Sequence, residues 1–286
     1  MSKHDINYEL PVSIDVELAL LEDIGSGDLT AQLVPSNQQA VATVISRDDA
    51  VICGQPWFNE VFDQLDPSIN IEWHVDEGAQ VSANDTLCVV SGPARSVLSG
   101  ERSALNFLQM LSAVATLTSK YVAAVNHTSA TILDTRKTIP GLRLAQKYAV
   151  TQGGGSNHRI GLYDAILIKE NHIIAAGSIA NAVQVAREQS AEVMCEVEVE
   201  NLDEAEQAMR AGADRLLLDN FSHEQLREAV ALRDDFAPEI TLEASGGVNL
   251  DSVTAIAECG VDFISIGGLT KDVKAVDLSM RFKLSD

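Results

Sequence analysis

A regular alternation of strand-like and helix-like segments over residues 131–266 limits most strongly what this chain can fold into. Short apolar runs alternate there with segments whose apolar residues recur every three or four positions, which is typical of helices. Strands joined by helices in this way are parallel and have right-handed crossovers. We therefore expect an α/β barrel, complete or incomplete, with a doubly wound open sheet as the alternative. The predicted strands are Thr131–Asp134, Ala165–Ile168, Val193–Val197, Arg215–Leu218, Ile240–Ala244 and Phe263–Ile266, and the predicted helices are Ser178–Gln189, Leu202–Ala211, Ser222–Arg233 and Asn249–Glu258.

The first hundred residues have a different pattern. From about residue 10 to residue 98, alternating runs such as Ala40–Ser46 and Ile69–Val75 predict strands, and one helix around Gln55–Gln64 interrupts them. A long helical stretch follows over residues 99–125. The length of 286 residues fits one large domain or two smaller ones, so a separate strand-rich unit can precede the barrel.

Polar residues follow each predicted strand of the second part at its C-terminal end. In α/β barrels the loops at that end converge and carry the active site. The sequence therefore predicts a site at this rim. Its candidate segments are Asp134-Thr135-Arg136-Lys137, Lys169-Glu170-Asn171, Glu198, Asp219-Asn220, Ser245-Gly246-Gly247 and Gly267-Gly268.

Charge is distributed unevenly along the chain. The formal net charge of −22 argues against nucleic acid or an anionic membrane as the main partner. Residues 136–172 nevertheless contain six Lys or Arg residues against two acidic ones, together with His158. Arg matches carboxylates and phosphates with two parallel hydrogen bonds, and Lys acts on phosphate as a point charge. This segment predicts a small-anion site, although Arg143 and Lys147, four residues apart on a helical stretch, fit a solvated surface equally well.

Glycine-rich segments predict places where backbone can approach a ligand. Gly153–Gly155 precede Ser156-Asn157-His158-Arg159, which indicates a flexible loop that brings His158 and Arg159 to the site. The glycines after the last two strands match the phosphate site that α/β barrels build from their final loops.

Two carboxylates, Glu198 and Asp219, follow neighbouring strands. They could be a general acid and base, or they could hold Mg²⁺ and ribose hydroxyls. The second role fits a cation-rich pocket better. Glu196 and Glu200 share a face with Glu198, so the pattern does not choose among the three. Taken alone, these residues predict a transferase or lyase that acts on a sugar phosphate.

Other features limit the class of protein. Four scattered cysteines, without a CxxC pair, predict buried thiols in a reducing compartment. The charged N-terminal segment lacks the apolar core of a signal peptide, and no run of about 18 apolar residues predicts a membrane span. We therefore expect a soluble, cytoplasmic protein. No catalytic serine elbow, Walker loop or Rossmann fingerprint is present in the sequence.

The segment DTRKTIPGLRLAQKYAVTQGGGSNHRIGLYDAILIKENHI, residues 134–173, closely resembles the quinolinate phosphoribosyltransferase family, also called carboxylating nicotinate-nucleotide pyrophosphorylases. A small departure is Gly268, where the family often has another small residue. The likeness covers nearly the whole chain in order, through residues 22–30, 99–116, 196–201, 216–221, 243–249 and 269–282.

The resemblance implies a reaction and a domain arrangement. Phosphoribosyl would be transferred from 5-phosphoribosyl 1-pyrophosphate to the ring nitrogen of quinolinate, with release of CO₂ and pyrophosphate, giving nicotinate mononucleotide for NAD synthesis. Residues 1–108 would form an N-terminal α/β-sandwich domain and residues 109–270 an incomplete α/β (TIM-like) barrel. The tail, residues 271–286, would pack back on the first domain. A homodimer or higher homo-oligomer would place Arg102 of one subunit in the site of another.

The resemblance also implies roles for individual residues. Quinolinate would bind Arg102, Arg136, His158, Arg159 and Lys169. Lys137 and Lys169 would face phosphate and pyrophosphate, while Glu198 and Asp219 would hold ribose hydroxyls and Mg²⁺, the metal mainly through the substrate. The four catalytic residues would be Lys137, Lys169, Glu198 and Asp219. The remaining substrate contacts would be Thr135, Ser245, Gly246, Gly247, Ile266, Gly267 and Gly268.

Four other interpretations compete. A molybdenum-associated paralogue of the same family would bind a related phosphoribosyl or nucleotide ligand. A nicotinate phosphoribosyltransferase would take a monocarboxylate and need fewer cations. Residues 75–92 resemble half of a biotinyl or lipoyl carrier module, but no lysine lies between Arg47 and Lys120 to carry the group. The fourth interpretation is a catalytically inactive barrel, but every cation expected for the family's site is present, and an inactive barrel would not need them.

Overall fold

The computed structural model describes residues 10–284, which form two compact units. The first contains the chain up to Thr116, Ile139–Gly153 and the segment from Val273 onward, and the second contains Leu117–Thr138 and Gly154–Asp272. The N-terminal segment that argues against a signal peptide lies largely outside the described residues. The helices are α1 (Val12–Ile24), α2 (Gln55–Leu65), α3 (Ala94–Val125), α4 (Arg143–Gln152), α5 (Glu170–Ala176), α6 (Ile179–Gln189), α7 (Leu202–Arg210), α8 (His223–Phe236), α9 (Val253–Ala257) and α10 (Gly268–Lys271). The strands are β1 (Gln39–Ser46), β2 (Ala50–Val51), β3 (Asn70–Trp73), β4 (Gln80–Val81), β5 (Thr86–Pro93), β6 (Thr131–Leu133), β7 (Ile166–Ile168), β8 (Cys195–Val199), β9 (Arg215–Asp219), β10 (Thr241–Ser245), β11 (Phe263–Ser265) and β12 (Leu278–Leu284).

The first unit is built on a four-stranded antiparallel sheet in the order β12-β1-β5-β3. The last described strand, β12, pairs with β1 from Ala40 opposite Leu284 to Ser46 opposite Leu278. Helix α2 buries an aromatic face, in which the ring of Phe58 lies 5.2 Å from that of Trp73 on β3. Helices packed on an antiparallel sheet give this unit its α/β-sandwich character.

Helix α1 departs from the strand-rich pattern predicted for residues 10–98, and this prediction was wrong. Its first residues, VSIDVEL, alternate strictly between apolar and polar, which is the signature of a half-buried strand. In the structure they are helical and bury Val16, while Ile14, Leu18 and Leu21 are exposed. Because apolar residues lie on the exposed face as well, the helical period is hidden in the sequence.

The second unit contains a six-stranded parallel sheet in the order β6-β11-β10-β9-β8-β7. Its strands are largely buried, and helices cover them, as expected for parallel sheets. β6 and β7 are the two edges and do not pair. Instead Ser156 bridges to β6, since its N–H donates to the carbonyl of Ile132 (2.9 Å) and its own carbonyl accepts the N–H of Asp134 (3.2 Å). The prediction of an incomplete α/β barrel is confirmed.

The predicted elements of the barrel all occur, with shifted ends. Helices α6 and α7 begin where side chains cap them, since Ser178 Oγ and Asn201 Oδ1 accept backbone N–H groups from Asn181 (3.1 Å) and Glu204 (3.0 Å). Helix α9 starts at Val253 instead of Asn249. The Asn249 side chain accepts the N–H groups of Asp251 and Ser252, which forms a turn before the helix. The short helix α5, directly after β7, was not predicted.

The four cysteines agree with the expectation from their spacing, since Cys53, Cys88, Cys195 and Cys259 are all buried and free. None of the helices in the described part of the chain is both long and apolar enough to cross a membrane.

Candidate active site

A cavity of about 360 Å³ lies at the carboxyl ends of the strands of the second unit. The polar residues that follow each predicted strand indicated a site at this same rim. Nine residues singled out in the sequence line the cavity: Thr135, Arg136, Lys137, His158, Arg159, Lys169, Glu198, Asp219 and Ser245.

Two arginines lie close together in the cavity wall. Burial, and next the positive charge of Arg136, lower the pKa of the Arg159 guanidinium below its ordinary value. Arg136 has a buried Nε that makes no hydrogen bond within residues 10–284. A buried donor left without a partner costs about 1–3 kcal/mol. Two neighbouring guanidinium groups, one with such a donor, are suited to a planar anion that accepts several hydrogen bonds.

Two lysines lie at the ends of β6 and β7. Lys169 precedes α5, its N–H donates to His172 Nδ1 (2.9 Å), and its ammonium pairs with Glu198. The Lys137 carbonyl accepts the hydroxyl of Thr270 (2.8 Å). A Cβ at Gly267 would lie 3.0 Å from Lys137 Cδ, so glycine at that position leaves room for the lysine stem.

The loop that carries His158 and Arg159 is held by Asp134, a buried residue at the end of β6. Its Oδ1 accepts the backbone N–H of His158 (2.9 Å), and its Oδ2 accepts the side-chain amide of Asn157 (2.6 Å). The sequence placed Asp134 at a strand end but gave it no role. In the structure it fixes the backbone from which two cavity residues extend.

The acidic wall consists of Glu198 on β8 and Asp219 at the end of β9. Among the three glutamates left open by the pattern, Glu198 lines this cavity, Glu196 is fully buried and Glu200 is exposed outside it. Two carboxylates on neighbouring strands supply oxygen ligands of the kind that Mg²⁺ prefers, and substrate oxygens would complete the set. The donor chemistry therefore fits a hard divalent cation.

Close packing of two loops explains one glycine beside Asp219. Gly246 has φ +103°, and a Cβ there would lie 2.1 Å from Asn220 Oδ1. The Asn220 side-chain amide donates to Asp219 Oδ2 (2.9 Å). The loop after β10 thus supports the residue that orients Asp219.

A buried acidic cluster lies beside the cavity. His158 Nε2 is 3.0 Å from Glu196 Oε2 and 3.4 Å from Glu243 Oε2. Burial, and next the nearby Glu196 carboxylate, raise the pKa of Glu243 to about 7. The pKa of Glu196 is also raised, chiefly by burial.

Sequence reasoning missed four residues that line the cavity, and they share one signal. Each lies two positions before a residue that was predicted, on the same face of its strand, because side chains alternate with period two. The four are Leu167, Leu217, Glu243 and Ser265.

Several predicted residues do not line the cavity. Arg102 is exposed on α3 in the first unit, and Arg143 and the fully buried Lys147 lie on α4 in that unit. Ile266 is buried, and its N–H donates to the Leu133 carbonyl (2.9 Å). The others are backbone positions directly beyond the ends of β10 and β11, namely Gly246, Gly247, Gly267 and Gly268.

Comparison with known proteins identifies the family that this chain resembles. Residues 28–112 match the family model of the quinolinate phosphoribosyl transferase N-terminal domain, and residues 114–281 match that of the C-terminal domain. A probable carboxylating nicotinate-nucleotide pyrophosphorylase of Bacillus subtilis is 41% identical over 267 residues, 93% of this chain and 91% of the relative. The carboxylating nicotinate-nucleotide pyrophosphorylase of Mycobacterium leprae is 39% identical over 269 residues, 93% and 95% of the two chains.

A solved structure extends the likeness to three dimensions. The nicotinate-nucleotide pyrophosphorylase of Francisella tularensis matches with a TM-score of 0.94 and 48% identity, covering 99% of this chain and 100% of the other. The likeness therefore covers both units. The chain belongs to the quinolinate phosphoribosyltransferase family.

Proposed function

We propose that this protein transfers phosphoribosyl from 5-phosphoribosyl 1-pyrophosphate to quinolinate, giving nicotinate mononucleotide, CO₂ and pyrophosphate. The observation that carries the proposal is the cavity itself, which two arginines, two lysines and two carboxylates line together at the carboxyl rim of the barrel. The relatives described above bear the name of this activity.

Arg136 and Arg159 bind the carboxylates of quinolinate in this proposal. Their guanidinium groups are near one another, and Arg136 Nε has no hydrogen-bond partner in the described chain. Lys169 adds a third charge beside them, and His158 lines the same wall. A planar dicarboxylate would thus be held through both acid groups.

Phosphoribosyl pyrophosphate takes the remaining surface. Lys137 and Lys169 face its phosphate groups, and Glu198 and Asp219 accept hydrogen bonds from the ribose hydroxyls. Backbone around Ser245, Gly246 and Gly247, and around Ile266, Gly267 and Gly268, surrounds the 5-phosphate. Thr135 lies beside Lys137, because the Lys137 backbone N–H donates to the Thr135 hydroxyl (3.1 Å).

The chemistry depends on positioning and charge. The quinolinate nitrogen attacks the ribose C1 as pyrophosphate leaves, and the two lysines stabilise the departing negative charge. The alkylated ring nitrogen is cationic, so it stabilises the electron pair left at C2 when the bond to the carboxylate breaks and CO₂ departs. C2 then takes up a proton. No covalent bond to the protein forms.

Mg²⁺ is the proposed cofactor, with Glu198 and Asp219 as the residues that would hold it, largely through substrate oxygens. When bound, the ion would supply positive charge to the pyrophosphate. The two carboxylates are suited to this because they line the cavity on neighbouring strands.

We further propose a cytoplasmic homodimer or higher homo-oligomer in which Arg102 of one subunit binds quinolinate in the site of another. Arg102, an exposed arginine in the first third of a long helix, is available for such a role. The molybdenum-associated alternative is not favoured, because the relatives carry the names of quinolinate enzymes.

Turnover tests the proposal. Purified protein is incubated with Mg²⁺ and phosphoribosyl pyrophosphate, with either quinolinate or nicotinate as acceptor, and nicotinate mononucleotide is measured. Formation of product from quinolinate, and much less from nicotinate, is expected. Product from nicotinate but not from quinolinate would refute the proposed reaction.

A further inference from the structure

Glu196 and Glu243, which form a buried cluster with His158, have no part in the proposed reaction. Glu196 lies on β8 and Glu243 on β10, on either side of β9, and both are fully buried. His158 comes from the loop that follows α4 and is 7% exposed. Its Nε2 lies 3.0 Å from Glu196 Oε2 and 3.4 Å from Glu243 Oε2. Three strand and loop segments therefore place polar groups at one buried point beside the cavity.

The other ring nitrogen of His158 determines its tautomer. Nδ1 accepts the backbone N–H of Arg159 at 2.8 Å, so Nδ1 carries no proton. The ring proton is therefore on Nε2, which faces the two carboxylates. With Nδ1 accepting an N–H and Nε2 beside the two carboxylates, neither ring nitrogen is left to donate to a substrate anion.

The same tautomer argues against a metal at this cluster. One histidine and two glutamates within reach of each other could hold a divalent cation. A metal on Nε2 would have to replace the last ring proton while Nδ1 still accepts an N–H, which would leave an imidazolate anion. The distances of 3.0 and 3.4 Å instead place Nε2 in electrostatic contact with both carboxylates.

Arg215 supplies the positive charge that two buried carboxylates need. Its Nη1 lies 3.4 Å from Glu243 Oε2, and its guanidinium lies 3.9 Å above the centre of the Phe263 ring. Stacking on an aromatic face fixes the direction of the guanidinium. Arg215 thus contacts Glu243, and both glutamates lie within 3.4 Å of His158 Nε2.

We propose that Glu196 and Glu243 are positioning residues for quinolinate binding. They hold the His158 ring in the orientation in which Nδ1 accepts the Arg159 N–H, and this fixes the start of the Arg159 side chain beside Arg136. His158 thereby acts through Arg159 and not as a cation for the substrate. The inference rests on the proposed function, because Arg159 is assigned there to a quinolinate carboxylate.

Steady-state kinetics of matched variants test this. Glu243→Leu and Glu196→Leu should raise the KM for quinolinate about tenfold and leave the KM for phosphoribosyl pyrophosphate within about twofold. Glu243→Gln and Glu196→Gln keep an acceptor oxygen and should restore most of the quinolinate affinity. Equal rises in both KM values, or no rise in either, would overturn the proposal.

Asp15→Leu is the matched control. Asp15 is a buried carboxylate of the first unit that accepts the ring N–H of Trp57 at 3.0 Å, so its removal disturbs a similar contact away from the cavity. The control should lower the melting temperature and leave the quinolinate KM unchanged. If it raises the quinolinate KM as much as Glu243→Leu does, the effect reflects general loosening and the proposal fails.

A spectroscopic measurement covers the case in which the leucine variants do not fold. In the parent protein labelled with ¹⁵N-histidine, the His158 signals, identified by their loss in His158→Asn, should show a neutral ring protonated on Nε2. A ring protonated on Nδ1, an imidazolium, or one tightly bound divalent metal per chain that Glu196→Gln abolishes would contradict the proposal. If the proposed function itself is wrong, the parent protein will not turn over quinolinate. This result distinguishes failure of the function from failure of the positioning role.

Discussion

In the proposed site, binding of the dicarboxylate should depend most on Arg136 and Arg159. Substituting either by Ala removes one of two neighbouring guanidinium groups, and we expect binding of quinolinate alone to be abolished in isothermal titration. Arg143→Ala is the matched control, because Arg143 lies on α4 and does not line the cavity. Unchanged affinity in both Arg136→Ala and Arg159→Ala would remove these residues from the carboxylate site.

Glu243 should make stability depend on pH. Its pKa is raised from 4.5 to about 7 by burial first and by Glu196 second. The folded state therefore binds more protons than the unfolded state between these values, so stability falls as the pH rises through this window, by up to about 3 kcal/mol in total.

Urea denaturation at pH 5 and pH 8 measures this contribution. Glu243→Gln cannot ionise, so it should lose less stability than the parent between the two pH values. The exposed Glu239→Gln should behave like the parent. An identical pH dependence in Glu243→Gln and the parent would show that Glu243 does not titrate in this range.

The cations of the site could be predicted from the sequence, and Glu243 could not. Arg136, Lys137 and Lys169 follow apolar strands and Arg159 follows a glycine-rich segment, in a part of the chain whose positive charge contrasts with the acidic remainder. Glu243 lies inside the strand TLEAS. Nothing in the sequence pattern distinguishes a glutamate that joins a buried cluster from one that lies at the end of a strand. Only its spacing of two from Ser245 indicates the shared face.

At the scale of elements, strands were easier to predict than the helix at the start of the chain. Buried parallel strands are short continuous apolar runs between polar loops, and β8, β9 and β10 lie within two residues of their predicted limits. Helix α1 alternates like a strand for its first seven residues, and its exposed leucines remove the helical signal. Helix α1 packs against α2. This tertiary contact favours the helix over a strand and is not visible in the local sequence.

The contact between the loops that follow β9 and β10 gives a prediction for Gly246. Alanine there incurs the cost of a positive φ and also meets Asn220, so Gly246→Ala should displace the Asn220 amide from Asp219 and raise the KM for phosphoribosyl pyrophosphate. Gly212→Ala is the control, since Gly212 has φ +81° with no atom within 4 Å of a Cβ.

Both variants should lose about 1–2 kcal/mol of stability from the backbone conformation. Only Gly246→Ala should also change the kinetics. Equal KM values in the two variants would mean that the contact with Asn220 does not support the site.

At the scale of the whole molecule, the distribution of charge explains how an acidic protein can bind anionic substrates. The chain carries −22 in total, yet residues 136–172 have six cations against two acidic residues. Four of these six cations line the cavity, and the other two, Arg143 and Lys147, belong to the first unit. Net charge thus argues against large polyanions as partners, while the local charge indicates a small anion.

Subunit mixing tests the proposed assembly. Arg102→Ala and Asp219→Ala should each be inactive, because each removes one part of the site that the proposed assembly shares between subunits. When the two variants are denatured and refolded together, a mixed dimer regains one intact site, so about a quarter of the parent activity should return. No recovery, in a mixture shown to contain mixed dimers, would mean that Arg102 does not complete a neighbouring subunit's site.

The most direct test of the account uses quinolinate labelled with ¹³C in the 2-carboxylate. With phosphoribosyl pyrophosphate and Mg²⁺, we predict one labelled CO₂ and one pyrophosphate for every nicotinate mononucleotide formed, and none of the three in Arg159→Ala at the same substrate concentrations. Nicotinate mononucleotide formed without labelled CO₂, or full activity in Arg159→Ala, would contradict the central claim that these cations hold a dicarboxylate for transfer and decarboxylation.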